Sequence, residues 1–258
     1  MQPMEALGKV GAKFYGAGIA AVGVQQLFYA DFRPFIMPPS EWIPGLALWA
    51  YAGSAALILA GVMMTIDKNV RKVSLIVGGI FLALFLFYHV PHLLFVNPYG
   101  KHLGTWTNGF KALAFAGGAF LIASSYPKEN SIKPLEKLIP FGELFFSITM
   151  VVFGIAHFIY VDFVKALVPR WIPGEVFWTY FAGIALIGSG ISFTFKIKLK
   201  EVALLYGIMV FLWLLTLHIP RAFADPFGEK GNEVTSVFQA IAFSGIGFVM
   251  AGRKLVNR

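Results

Sequence analysis

"GVQQLFYADFRPFIMPPSEWIPGLALWAY" (residues 23–51) and "GIAHFIYVDFVKALVPRWIPGEVFWTY" (residues 154–180) are two versions of one passage. Gly23, Tyr29, Asp31 and Phe32 correspond to Gly154, Tyr160, Asp162 and Phe163. After a two-residue deletion, Trp42-Ile43-Pro44-Gly45 corresponds to Trp171-Ile172-Pro173-Gly174, and Trp49 and Tyr51 to Trp178 and Tyr180. The match continues downstream. His89 and Pro91 align with His218 and Pro220, and Phe110, Ala112, Ala114, Phe115 and Gly117 align with Phe238, Ala240, Ala242, Phe243 and Gly245. Self-similarity over so long a period marks a chain written as two copies of one unit.

Each copy holds four long apolar runs. They are Lys13–Tyr29, Leu46–Ile66, Val73–Phe95 and Asn108–Ser124, then Phe141–Tyr160, Glu175–Phe195, Val202–Ile219 and Val234–Ala251. About 20 such residues cross a hydrocarbon core of about 30 Å. Lipid offers the backbone no partners, so each crossing must be helical. Composition agrees: 58% of residues are hydrophobic, 13% are charged and mean hydropathy is +0.73, against about 25% charge in soluble domains. An even number of crossings returns the chain to its starting side, so the copies share one orientation. The expected fold is an all-α membrane protein of eight transmembrane helices, arranged as two parallel-oriented four-helix repeats. The repeats cover residues 1–127 and 141–258, and the polar, proline-marked segment 128–140 links them.

The net charge of +8 is distributed by side. One set of termini and loops carries 14 of the 21 Lys and Arg residues, and the acidic residues divide 6 against 7. This bias predicts cytoplasmic termini and accounts for the basic excess without nucleic acid. The first run resembles a signal peptide in its flanking lysines, but its counterpart is internal, so it reads as a retained helix. The chain has no cysteine. Dithiol relays, thiolate nucleophiles and thiolate metal sites are therefore excluded.

At about 1.5 Å rise per residue, several polar side chains reach a common depth near the outer surface. His89, His157 and His218 each stand about 24 Å from the inner boundary, and Gln26 is the repeat partner of His157. Lys111 lies about 8 Å below Trp106, where its helix enters from outside, and Gln239 lies likewise below Val234. Tyr51 and Tyr180 lie about 10 Å below Pro44 and Pro173. The first copy thus offers Gln26, Tyr51, His89 and Lys111 with Asn108 above, and the second offers His157, Tyr180, His218 and Gln239. An ionisable group in a span costs roughly 2.5–3.5 kcal/mol and normally faces a bundle interior or wet cavity.

Plainer readings stand beside this one. Pro91 and Pro220 each remove a backbone donor, and a histidine near a helix end can bond the loosened carbonyls. His92 is replaced by Arg221 in the second copy, which argues against a symmetric metal or haem site. Trp42, Trp49, Trp106, Trp171 and Trp178 fall near the outer boundary, where indoles form a belt, and Pro44 and Pro173 suit a helix first turn. The sharper reading makes the Trp-Ile-Pro-Gly loops half-buried lids over each bundle mouth, admitting an apolar ligand from lipid.

Gly154-x-x-His157-Phe158, Val168-Pro169-x-Trp171-Ile172-Pro173, Trp178-x-Tyr180 and Leu217-His218-x-Pro220-Arg221 with Gln239-Ala240 resemble the DoxX-like membrane family. The second copy keeps the pattern better, since Gln26 and His92 replace His157 and Arg221 in the first. The resemblance implies a four-helix unit fused in tandem and a bacterial inner membrane. It implies a component of a quinone-linked oxidoreductase that needs a redox partner protein. In that reading His157, His218, Tyr180 and Arg221 act on the ligand. Gln26, Tyr51, His89, Lys111, Asn108, Gln239, Trp171, Trp178, Trp42 and Trp49 hold it, with a quinone as cofactor and no metal or haem. Two alternatives remain open at this stage: a binder or isomerase of a lipid or sterol-like ligand, and a non-catalytic structural partner of a membrane complex.

Overall fold

The computed structural model describes residues 3–38, 43–128 and 132–253. Among these, secondary structure is helical, with no strand. The α-helices in chain order are α1 (Pro3–Tyr29), α2 (Leu46–Thr65), α3 (Val70–Leu84), α4 (Thr107–Ser124), α5 (Lys133–Glu136), α6 (Gly142–Ile159), α7 (Val161–Lys165), α8 (Glu175–Phe195), α9 (Leu199–Trp213), α10 (Ile219–Ala224) and α11 (Gly228–Gly252).

Six helical stretches are long and apolar enough to cross a membrane: Leu46–Thr65, Val70–Val96, Lys133–Ile159, Glu175–Phe195, Leu199–Ala224 and Gly228–Gly252. The sequence also places spans at α1 and α4. Both are helices there, but less apolar, since α1 carries Gln25 and Gln26 and α4 carries Asn108 and Lys111. Their neighbours explain the tolerance. α1 packs on α2 and α11, and α4 packs on α3, α6 and α11. Thirteen of the eighteen α4 residues are buried. A helix screened from lipid by protein need not be apolar all round.

Glycines set these helix contacts. Side chains at Gly11 and Gly245 would collide with each other's backbone across the α1–α11 crossing. Gly16 and Gly61 stand in the same relation between α1 and α2, Gly117 and Gly142 between α4 and α6, and Gly154 and Gly183 between α6 and α8. Small residues let helix backbones approach where lipid supplies no hydrophobic drive to associate. The pairings run antiparallel. Gly8 faces Gly252 while Gly18 faces Ala242, and Gly117 faces Gly142 while Phe110 accepts a 3.0 Å bond from Thr149.

Several backbone features recur in the two halves at matching places. Gly45 and Gly174 precede α2 and α8 with φ of 66° and 78°. Pro44 and Pro173 therefore lie just outside these helices, not in their first turns, because the left-handed glycine intervenes. Asp67 and Asn69 before α3, and Lys196 and Lys198 before α9, also have positive φ. α3 and α9 each end in a widened π turn, at Phe85–His89 and Leu214–His218. In these turns the Val90 N–H bonds the Phe85 carbonyl and the Ile219 N–H that of Leu214. Each π turn sits one residue before a proline, which cannot donate to the carbonyl four residues back.

Replacing Gly11 by Val should force α1 off α11 and lower the stability of the detergent-solubilised protein by about 1–3 kcal/mol. Gly188→Ala, whose new methyl meets nothing within 4 Å, should leave it unchanged or raise it. Thermal unfolding of both variants is the check, and equal losses would remove glycine packing as the cause.

Candidate functional site

The two halves treat their histidine differently. In the first half, the loop after α1 turns inward. The N–H groups of Ile36 and Met37 bond the Arg33 carbonyl at 2.8 and 3.1 Å, forming a tight turn that aims Phe35 into the bundle. Phe35 is 1% exposed. Its ring lies 6.1 Å from Phe81 at 11° and 5.0 Å from Phe115 at 31°. His89, at the end of its π turn, donates from Nε2 to the Phe35 carbonyl at 3.1 Å. Gln26 is fully buried, donates to the Ala50 carbonyl at 2.9 Å and accepts from the Arg33 N–H at 3.5 Å.

Arg33 is the largest polar side chain enclosed here, at 1% exposure. Its guanidinium lies 4.8 Å from the centre of the Tyr29 ring and donates through Nη1 to the Lys230 carbonyl. Burial pulls its pKa below the ordinary arginine value, and nearby Asp31 opposes that pull. Lys230 donates to Asp31 at 2.6 Å, so the loop before α2 is latched to the left-handed bend at Glu229–Gly231 near the start of α11. Gln25 completes the latch by donating to the Gly231 carbonyl at 2.6 Å and accepting from Thr235 at 2.7 Å.

In the second half, the corresponding loop does not insert a ring. Phe163 is 68% exposed. Arg221, one turn beyond the π turn on α10, forms a two-point ion pair with Glu233 at the start of α11. Its Nε donates to Oε2 at 2.9 Å and its Nη2 to Oε1. Its Nη1 also donates to the Leu167 carbonyl at 3.4 Å. Lys111 reaches over from α4, near enough to act electrostatically on both Glu233 and His218. His218 Nδ1 is buried and has no hydrogen-bond partner among the described residues. The Glu233 carboxylate is therefore paired with Arg221 and within electrostatic range of Lys111 and of His218, whose Nδ1 has no partner among the described residues. Such a set can receive an acceptor-bearing ligand with partial negative charge.

The remaining expected residues scatter. His157, half-buried on α6, bonds its own helix at the Phe153 carbonyl, 2.7 Å away. Gln239 is buried on α11, and Asn108 is half-buried on the first turn of α4. Tyr51 and Tyr180 are 43% and 40% exposed on the outside of the bundle, and Tyr180 lies against Phe158 at 5.4 Å. Trp49, Trp171 and Trp178 are exposed, with the Trp178 indole donating to the Pro173 carbonyl at 3.2 Å. Trp42 lies outside the described residues. Glu233, absent from the residues expected from sequence, is the counter-charge of Arg221.

Among the described residues, no three His, Asp or Glu side chains gather as metal ligands would. A groove of about 310 Å³ opens beside Lys101, Leu103, Trp106 and Phe110, one residue from Lys111. Comparison with protein-family models, with curated proteins and with solved structures finds no match for this chain.

Breaking a shielded ion pair on one side strands the other charge. Glu233→Gln should therefore lower stability by roughly 1–2 kcal/mol, reduced from a fully buried case because the pair is partly solvated. Replacing both partners, Arg221→Met with Glu233→Leu, should recover most of the loss. A double-mutant cycle by thermal unfolding measures the coupling, and additive losses would show that the pair contributes nothing.

Proposed function

We propose that the chain is a DoxX-like protein of the bacterial inner membrane, with both termini cytoplasmic, and that its second half binds a quinone-like molecule near the extracytoplasmic surface. Eight crossings are favoured by the antiparallel packing of α1 on α2 and α11, and of α4 on α3 and α6, since α2, α3, α6 and α11 each belong to a membrane-long apolar stretch. A tandem of two four-helix units is favoured by the order of packing. α1–α2 and α3–α4 in the first half parallel α6–α8 and α9–α11 in the second, while α1–α11 and α4–α6 join the halves. The paired left-handed residues and π turns add to it. The lysine and arginine bias supports the orientation.

The observation that carries the ligand reading is the buried, unpartnered Nδ1 of His218 beside the Arg221–Glu233 pair and Lys111. Buried polar atoms are rarely left without a partner, so this one fits a ligand acceptor. A quinone carbonyl is such an acceptor on an apolar ring that partitions into lipid. When bound, a quinone would supply a redox couple of two electrons and two protons, with electrons drawn from a partner protein. His218 can donate a hydrogen bond from Nδ1 and hold or release a proton there. Arg221 and Lys111 bias the site toward negative charge on the ligand oxygen. His157, with its Nδ1 engaged by its own helix, contributes packing near α8 and no free polar atom at Nδ1.

Solvent extraction of the purified protein followed by mass spectrometry should recover a quinone. His218→Phe should lose it while retaining a cooperative thermal transition. A fatty acid or sterol-like lipid in its place, or a quinone retained by the variant, would overturn this assignment.

A further inference from the structure

We infer that the first half contains a second binding site for a flat aromatic carbonyl compound, and that Phe35 of the chain itself fills it. The ligand class rests on the reading of the second half given above; the filled site rests on the first half alone. Phe35 presents a ring and, beside it, a carbonyl. The ring lies nearly parallel to Phe81 and tilted against Phe115, and the carbonyl accepts from His89. That is the recognition pattern of a small aryl carbonyl molecule: an aromatic slot capped by one histidine donor.

The loop is built to hold this occupant. Its turn closes on the Arg33 carbonyl, and the Arg33 side chain is pinned between the Tyr29 ring and the Lys230 carbonyl. The Lys230–Asp31 pair ties it from outside. Counting on from the matched Asp31-Phe32 and Asp162-Phe163, the second half has Val164 in place of Arg33 and Ala166 in place of Phe35. Valine has no guanidinium to anchor the turn, and alanine has no ring to insert. The histidines follow suit. His89 is satisfied by the chain, whereas His218 keeps an unpartnered nitrogen. The half that lost the internal ring is the half whose histidine is free.

The test uses the full chain in detergent, titrated with 1,4-naphthoquinone by equilibrium dialysis. Wild type should bind one molecule per chain and Phe35→Ala two, with a cooperative melt confirming that the variant is folded. Adding His89→Phe to Phe35→Ala should return the count to one, and Phe35→Trp, which keeps the slot filled, should stay at one. Should the alanine chain not fold, Phe35→Val gives the same count with less volume removed. If wild type binds none while Phe35→Ala binds one in a His89-dependent way, the second-half reading fails and this inference stands. A folded Phe35→Ala or Phe35→Val chain that binds no more than wild type overturns it.

Discussion

Backbone-to-backbone contact at paired glycines is the constraint on which this bundle depends. Between helices in lipid there is no hydrophobic gain from association, so cohesion comes from close packing and from polar groups that find partners across the gap. Gly11 with Gly245 and Gly117 with Gly142 draw together helices far apart in sequence. The approach lets the Tyr15 hydroxyl on α1 donate to the Phe115 carbonyl of α4 at 2.8 Å, and Thr149 on α6 to that of Phe110. It also carries Lys111 to Glu233 and His218. The charged cluster is thus a product of the seam between the halves rather than of either half alone.

The end of the bundle that carries the start of α1 and the end of α11 is secured by different means. Arg71 grips Glu136 with two bonds of 2.8 and 2.6 Å and donates to the Ala123 carbonyl at 2.9 Å. One arginine therefore ties α3 to the short helix α5 and satisfies a carbonyl exposed at the end of α4. Arg253 pairs with Glu143 at the start of α6, joined there by Lys196 at 3.7 Å. The two ends of the bundle divide the work. One is stapled by carboxylate–arginine pairs, and the other combines such a pair with a folded-in loop and a histidine.

That polar residues sit within these helices was readable from sequence; the direction each takes around its helix was not. Counting residues along the apolar runs located His89, His218, Gln26, Lys111 and Gln239 in turns where the structure buries or half-buries them. The same count gave Tyr51 and Tyr180 a comparable depth, yet they point outward. Rise per residue fixes height whatever the neighbours do, whereas azimuth follows from which faces the glycines press together. The proline two residues after each histidine signalled a disturbed helix end, but not that the turn would widen to π form. The inward loop was illegible for another reason. Nothing local in "DFRPFIM" announces that Phe35 enters the core, because its slot is made by Phe81 and Phe115 from distant segments. The partner of Arg221 was hidden in the same way, since Glu233 also fits the pattern of a helix start.

The widened turns have a bearing on how this chain can change. A π turn holds one residue more than the α turn it replaces, so everything after it is swung by about 100° relative to a regular helix. Losing a single residue between Phe85 and His89 would let the turn close to ordinary winding with the imidazole near its present direction, whereas tightening the turn with every residue kept would swing it away from the Phe35 carbonyl. The same holds between Leu214 and His218. Substitutions inside these turns alter a surface, whereas tightening a turn without removing a residue re-aims the rest of the helix. From Asn69 to Pro91 and from Lys198 to Pro220 the chain counts out the same number of residues, while sixteen of the twenty-one residues between them differ. The two copies share the metre while the letters differ.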